Sequence, residues 1–175
     1  MSRRVPHVTD HGTVNIGPDS PARADVRALL DEHLEEMRAT SPPESVHALD
    51  AAALAAAHIT FVTARDDDGT LLGCGALSEL RPGPGGHGEL KSMRTALAAR
   101  GRGVATAVLA HLVGLCRERG YARLSLETGV EDLFVTARGM YARAGFVECE
   151  PFAAYGPDPN SVFMTLALAR SGASR

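Results

Sequence analysis

The residues with the clearest chemical potential lie in one turn, Arg100-Gly101-Arg102-Gly103-Val104-Ala105, set just before a strongly apolar helical run. Two glycines let a backbone come close to a ligand. The first turn of a helix leaves several N–H groups unpaired, and the helix dipole adds partial positive charge there. Such a place suits a phosphate or pyrophosphate, and the guanidinium groups of Arg100 and Arg102 add charge beside it. A tight turn without a ligand is the plainer account. A P-loop would need Lys followed by Ser or Thr after the second glycine, where this chain has Val104-Ala105. A dinucleotide fingerprint would need a third Gly or Ala, and Thr106 stands in its place. Glu127 lies roughly where a ribose-binding acid would be, but the long stretch before the turn has no place in that fold.

Other reactive side chains form no recognisable constellation. Cys74, Cys116 and Cys149 are odd in number, widely spaced and in no CxxC arrangement, which reads as buried thiols of a reducing compartment. None has an activating neighbour, so a covalent acyl-enzyme is not expected. His87-Gly88-Glu89 offers too few ligands for a metal, and no metal is expected. Composition narrows the field further. A chain of 175 residues, 45% hydrophobic and 22% charged, suits a single globular domain. A net charge of -3 provides no footprint for nucleic acid. Met1-Ser2-Arg3-Arg4 is basic but no apolar run follows, and no stretch is long and apolar enough for a membrane span, so a cytoplasmic protein is expected. High Ala, Arg and Gly content gives it a bacterial cast.

Positioning these residues falls to an alternating series of elements. Residues 1–19 read as a loose tail running into a short edge strand through Val14 and Ile16. Ser20-Pro21 signals a helix start, with Ser as N-cap, and Val26, Leu29, Leu30, Leu34 and Met37 predict a helix over 21–39. Asp50 can cap a short helix to Ala57. Strands follow at 59–63 and 71–77, joined by Asp66-Asp67-Asp68-Gly69 as a hairpin, and then a third at 89–97. A helix over 103–119 stops at Gly120, and strand 124–128, helix 132–144, a strand from Gly145 and a last strand 161–168 complete the order. The strand–helix–strand of 89–128 has the length of a crossover between parallel strands. An α/β (α+β) fold results, a mixed sheet with helices on both faces, in one domain over 20–169 followed by a short tail at 170–175.

At the turn the chain resembles the GNAT superfamily of N-acetyltransferases, whose Arg/Gln-x-x-Gly-x-Gly/Ala pattern is met by Arg100, Gly103 and Ala105. The resemblance runs over about residues 22–169. Strand Glu89-Leu90-Lys91-Ser92-Met93-Arg94-Thr95 is similar to the family's CoA-contacting strand, and Ala137 to Phe146 to its A-x-x-x-Tyr-x-x-x-Gly-Phe motif. Segments such as Lys91-Ser92-Met93-Arg94 and Pro159-Asn160-Ser161-Val162-Phe163-Met164 resemble an uncharacterised bacterial subgroup. The chain departs from the family at Phe134, where many members carry Asn. The resemblance implies a mainly antiparallel sheet of six to seven strands and acetyl-CoA as co-substrate.

Carried over residue by residue, the resemblance implies that Met93, Arg94 and Thr95 pair through backbone groups with the pantetheine arm, one N–H polarising the thioester carbonyl. Arg100, Gly101, Arg102, Gly103, Val104, Ala105 and Thr106 would hold the pyrophosphate. Tyr141 matches the general acid that protonates the departing sulfur. Glu89 and Glu127 are the candidate bases, and Glu79 follows them. His33 on the first helix, with Ser45 and His47 in the loop after it, are candidates for acceptor contacts, as is Glu79. The expected activity is acetyl transfer to a primary amine, of a small molecule since no broad charged docking surface is evident; a non-catalytic acyl-CoA-binding or regulatory domain is the alternative. Edge strands of this fold leave pairing into a homodimer open.

Overall fold

Alternation of period two organises the centre of the molecule, a computed structural model that describes residues 4–9 and 12–168. In strand β3 (Ile59–Arg65), Phe61 enters one hydrophobic cluster while Val62 and Ala64 enter another. A turn then leads to β4 (Leu71–Arg81): the Asp66 carboxylate accepts from Thr70 N at 2.8 Å, and Gly69 takes the positive φ of 84° that the reversal needs. Strands β1 (Val5–Thr9), β2 (Gly12–Pro18), β5 (His87–Thr95), β6 (Arg123–Gly129), β7 (Val147–Glu148) and β8 (Ser161–Ala167) complete one sheet of order β1-β2-β3-β4-β5-β6-β8-β7. The pairing of β5 with β6 is parallel and every other pairing is antiparallel.

Eight strands stand where six to seven are expected, and the extra one lies at the N-terminus. Described residues there form a β1–β2 hairpin instead of a loose tail. Pro6 and the uneven spacing of Val5 and Val8 hide this strand, yet proline is tolerated at a sheet edge. Arg4 pins it, donating to Thr63 O at 3.0 Å and to Asp19 Oδ2 at 2.8 Å. Residues 1–3 and the expected tail at 170–175 lie outside the described residues.

Helix α1 (Ala24–Thr40) buries Val26, Leu29, Leu30 and Leu34. It starts later than expected. Arg23, not Ser20, occupies the N-cap without a side-chain bond, because the Ser20 hydroxyl is spent on Ala22 N within the preceding turn (3.2 Å). Asp50 does cap the short α2 (Ala51–Leu54), accepting from Ala53 N at 2.8 Å. These two helices pack on Phe61, Cys74 and Ala76. On the other face α3 (Val104–Glu118) buries Val108, Leu109 and Leu112, each worth about 1.5–3 kcal/mol. Close approach of α3 requires glycines on β4. A Cβ at Gly73 would sit 3.0 Å from Val104 Cγ1, and one at Gly75 would sit 2.8 Å from Val108 Cγ1. Helix α4 (Val135–Arg143) follows a short 3-10 turn, Asp132–Phe134.

Buried charge locks the N-terminal hairpin and α1 to the sheet. The Arg65 side chain, 7% exposed, donates from Nε to Asp19 at 3.1 Å and from Nη1 to Asp25 at 2.6 Å. Removing one partner of such a pair leaves a buried charge uncompensated. Arg65→Met should therefore lower stability by about 3–5 kcal/mol in urea unfolding. Hydrogen bonding to Arg65 pulls Asp25 down from 3.8 to about 2, against a smaller opposing effect of burial. Its contribution is complete above 3.8 and should be lost as pH falls toward 2, a slope that Arg65→Met removes.

Candidate active site

Two features of the sheet create the site. Pairing between β5 and β6 covers only His87↔Arg123, Gly88↔Leu124 and Glu89↔Ser125, after which the strands part. Beyond Glu89, β5 keeps β4 on one side and, among the described residues, has no strand on the other, so backbone groups from Leu90 to Thr95 face a cleft. A bulge shapes the same stretch. Between Cys74↔Arg94 and Ala76↔Lys91 the register shifts, and Ser92 and Met93 together face the single residue Gly75. Ser92 adopts φ 51°, and a Cβ at Gly75 would stand 2.6 Å from Met93 Sδ and 2.8 Å from Val108 Cγ1, so that glycine leaves room for both side chains.

One end of the cleft is the glycine turn. Gly101 and Gly103 have φ 75° and 77°, and Gly103 caps α3 with no side-chain bond. Its first-turn amides thus remain available to an anion. A Cβ at Gly101 would meet nothing within 4 Å, so the turn is open above. From here a cavity of about 560 Å³ is lined by Met93, Arg94, Thr95, Arg100, Gly101, Gly103, Val104, Ala105 and Thr106. Of the cofactor contacts expected from sequence, Arg102 alone is missing from this lining. Arg94 spends its guanidinium on α1, bonding Glu36 and reaching Glu32 at 2.7 Å, which leaves its backbone for a ligand. The turn, the open first-turn amides and the exposed strand backbone fit an elongated anionic ligand.

A second cavity of about 130 Å³ adjoins the first, and His33, Met37, Met93, Phe134, Ala137 and Tyr141 line both. Tyr141 sits at this junction, buried at 6% exposure and edge-on to Phe146 at 5.8 Å. Burial pushes its phenol above the ordinary 10, so it carries its proton at neutral pH. Phe134, the departure noted from the sequence, packs its ring edge where a side chain at Gly129 would be.

Glu127, Ser45, His47 and His33 line the smaller cavity. Burial raises the Glu127 carboxyl above its ordinary value, partly offset by a 2.7 Å hydrogen bond from Ser161 Oγ and by His47 and Lys91. His33 is drawn down to about 4, first by burial and then by Arg94. The other two acids lie elsewhere. Glu89 is 4% exposed, accepts from Tyr155 OH at 2.5 Å and pairs with Lys91 at 3.0 Å; it opens onto a separate cavity of about 470 Å³. Glu79 accepts from Tyr121 OH and lines none of the three cavities. Both Cys74 and Cys116 are pushed up to about 12 by burial, which removes them as nucleophiles. Among the described residues no group of His, Cys, Asp or Glu could hold a metal ion, and no helix is long and apolar enough to cross a membrane.

Sequence reasoning passes over Lys91, Asn160 and Tyr155 as functional residues. Lys91 and Asn160 line the smaller cavity, and the Tyr155 hydroxyl accepts from Lys91 Nζ at 2.5 Å. Nothing in the spacing of Tyr155, within a Gly- and Pro-containing loop, announces a contact with a strand sixty-odd residues earlier.

Comparison with known proteins sets this geometry in context. Residues 26–146 match the acetyltransferase (GNAT) family. The Bacillus subtilis (strain 168) protein described as uncharacterized N-acetyltransferase YsnE is 52% identical over 82% of this chain and 92% of its own length. A protein of Azospirillum brasilense named IAA acetyltransferase is 38% identical over 89% of this chain and 98% of its own. The fold matches a GNAT family acetyltransferase from Elizabethkingia anophelis, solved with acetyl-CoA bound, with a TM-score of 0.60 at 15% identity, covering 91% of this chain and 99% of that one.

The junction should leave a titration signature. With a folded value of about 4 against 6.5, His33 should show no change in its ring proton resonances by NMR between about pH 5 and 8. Unfolding the chain restores its proton affinity, so this residue weakens the fold as pH drops from 6.5 toward 4. His33→Leu should remove that part of the acid slope.

Proposed function

The chain belongs to the acetyltransferase (GNAT) family, and on that premise we propose that it transfers the acetyl group of acetyl-CoA to the primary amine of a small molecule, by direct attack. The observation that carries this reading is the meeting of the two cavities at Met93 and Tyr141, where β5 and β6 have parted. The larger cavity has the anion-ready turn at one end and unpaired strand backbone along its wall. The smaller, at about 130 Å³, is close to the size that holds a benzene-sized ligand, about 150 Å³. It fits a small amine.

Bound in the larger cavity, acetyl-CoA would supply the thioester carbonyl as electrophile and its sulfur as leaving group. An unpaired N–H in the Met93–Thr95 stretch polarises the carbonyl oxygen. Glu127 receives the ammonium proton, directly or through water, and burial raises its proton affinity in the direction a base needs. Tyr141, protonated and at the junction, supplies a proton to the sulfur. Glu89 is held by Tyr155 and Lys91, which leaves Glu127 as the acid on the acceptor cavity.

Calorimetry with acetyl-CoA and a thiol-release assay over an amine panel test the proposal. Absence of acetyl-CoA binding overturns it, and binding with no turnover on any amine returns the non-catalytic alternative. Tyr141→Phe should lower turnover about 100-fold with acetyl-CoA affinity unchanged. Glu127→Gln should do likewise. In the wild-type enzyme kcat/KM should fall on the acid side, as Glu127 takes up a proton at a pH above the usual carboxylate range. That limb should vanish in Glu127→Gln.

A further inference from the structure

Of the 18 lysine and arginine residues in the chain, one is lysine, and it is Lys91 on the wall of the acceptor cavity. Elsewhere the chain uses arginine even for buried ion pairs, as at Arg65 and Arg94. A guanidinium beside Glu89 would fork onto that carboxylate with paired N–H groups. An ammonium differs, because it is a compact charge with three donors that diverge.

One of those donors is hydrogen-bonded, and the ammonium is also ion-paired. Lys91 Nζ pairs with Glu89 Oε1 at 3.0 Å and donates to Tyr155 OH at 2.5 Å, while Tyr155 in turn donates to Glu89 at 2.5 Å. Both partners line the neighbouring cavity and neither lines the acceptor cavity. Lys91 does line it, with its side chain 15% exposed. The triad therefore grips the ammonium from behind, and donor capacity is left for the acceptor side. His47 stands edge-on to Tyr155 at 5.1 Å and brings a second N–H-bearing group to the same wall. Glu127 supplies the opposite pole within the cavity, with one oxygen taken by Ser161. A small space with a charged donor and a carboxylate on its walls matches a ligand that itself bears an amine and an anion.

We propose that the acceptor is a small amino acid, its carboxylate received by Lys91 and its amine facing Glu127. The inference rests on the acetyl-transfer reading and adds the substrate class to it. Aligning the acceptor by its carboxylate fixes where its nitrogen lies relative to Tyr141 and the bulge.

The test pairs each acid with the alkylamine that remains when its carboxylate is removed: glycine with methylamine, β-alanine with ethylamine, 4-aminobutyrate with propylamine. Thiol release and direct calorimetric binding are measured for the wild-type protein, Lys91→Gln and Lys91→Arg. At least one acid should exceed its alkylamine in kcat/KM by about 10- to 100-fold, the value of a charged hydrogen bond. In Lys91→Gln that ratio should collapse toward one through a rise in KM, and Lys91→Arg should recover part of it. Acetyl-CoA titration of each variant checks that it is folded, since Lys91 does not line the larger cavity. Alkylamines turned over as well as every acid, or a ratio untouched in Lys91→Gln, would overturn the proposal. So would failure of every acid both to bind and to be turned over. The acetyl-transfer reading falls on different results, namely loss of acetyl-CoA binding or no thiol release with any amine.

Discussion

Everything at the site follows from the parting of β5 and β6 after three paired residues. Buried backbone N–H and C=O groups demand partners, and a sheet normally supplies them. Here one strand turns its edge to a cleft for the length of Leu90 to Thr95. The bulge at Ser92 and Met93 strengthens the local twist and carries that edge away from β6. Gly75 on β4 makes room for it. Helix α4, the 3-10 turn before it and the end of α1 then close over the gap, through Tyr141, Phe134 and Met37, without filling it. A cleft inside a sheet is thus produced by withholding pairing.

Charge is distributed along the cleft by the same economy. Carboxylates near the donor end, Glu32 and Glu36, are tied to Arg94, which binds α1 to β5. Glu89 is paired with Lys91 and capped by the Tyr155 hydroxyl. Glu127 keeps the higher proton affinity of a buried acid whose one firm bond comes from a neutral hydroxyl. Two glutamates on neighbouring strands, of identical chemistry, are given different surroundings by the segments that fold against them.

Much of this was legible in the residues, and unevenly so. The glycine turn, the apolar helix behind it and the Tyr141 motif depend on local backbone and spacing, and all stand where the sequence puts them. The β3–β4 hairpin and the Asp50 cap are equally local. Ser20 misleads because its hydroxyl has a nearer amide to satisfy than those of the helix. Strand β1 is invisible because it is held by pairing with β2 and by Arg4 reaching Thr63 and Asp19, with no apolar pattern of its own. Glu89 and Glu127 look alike in sequence, since only the loop carrying Tyr155 and the strand carrying Ser161 tell them apart. Contacts between distant segments leave no periodic trace.

The hydrophobic interior is built as two clusters on opposite faces of the sheet, one around α3 and the other around α1 and α2, with Ala96 packed against both. The α3 cluster carries the helix whose N-terminus forms the glycine turn, whereas α1 and the loop after it border the smaller cavity. Substitutions that repack the α1 side can therefore alter what the smaller cavity admits while the turn keeps its support. Such a division lets the interior behind α1 drift in sequence while the glycine turn, supported from the opposite face of the sheet, keeps its geometry.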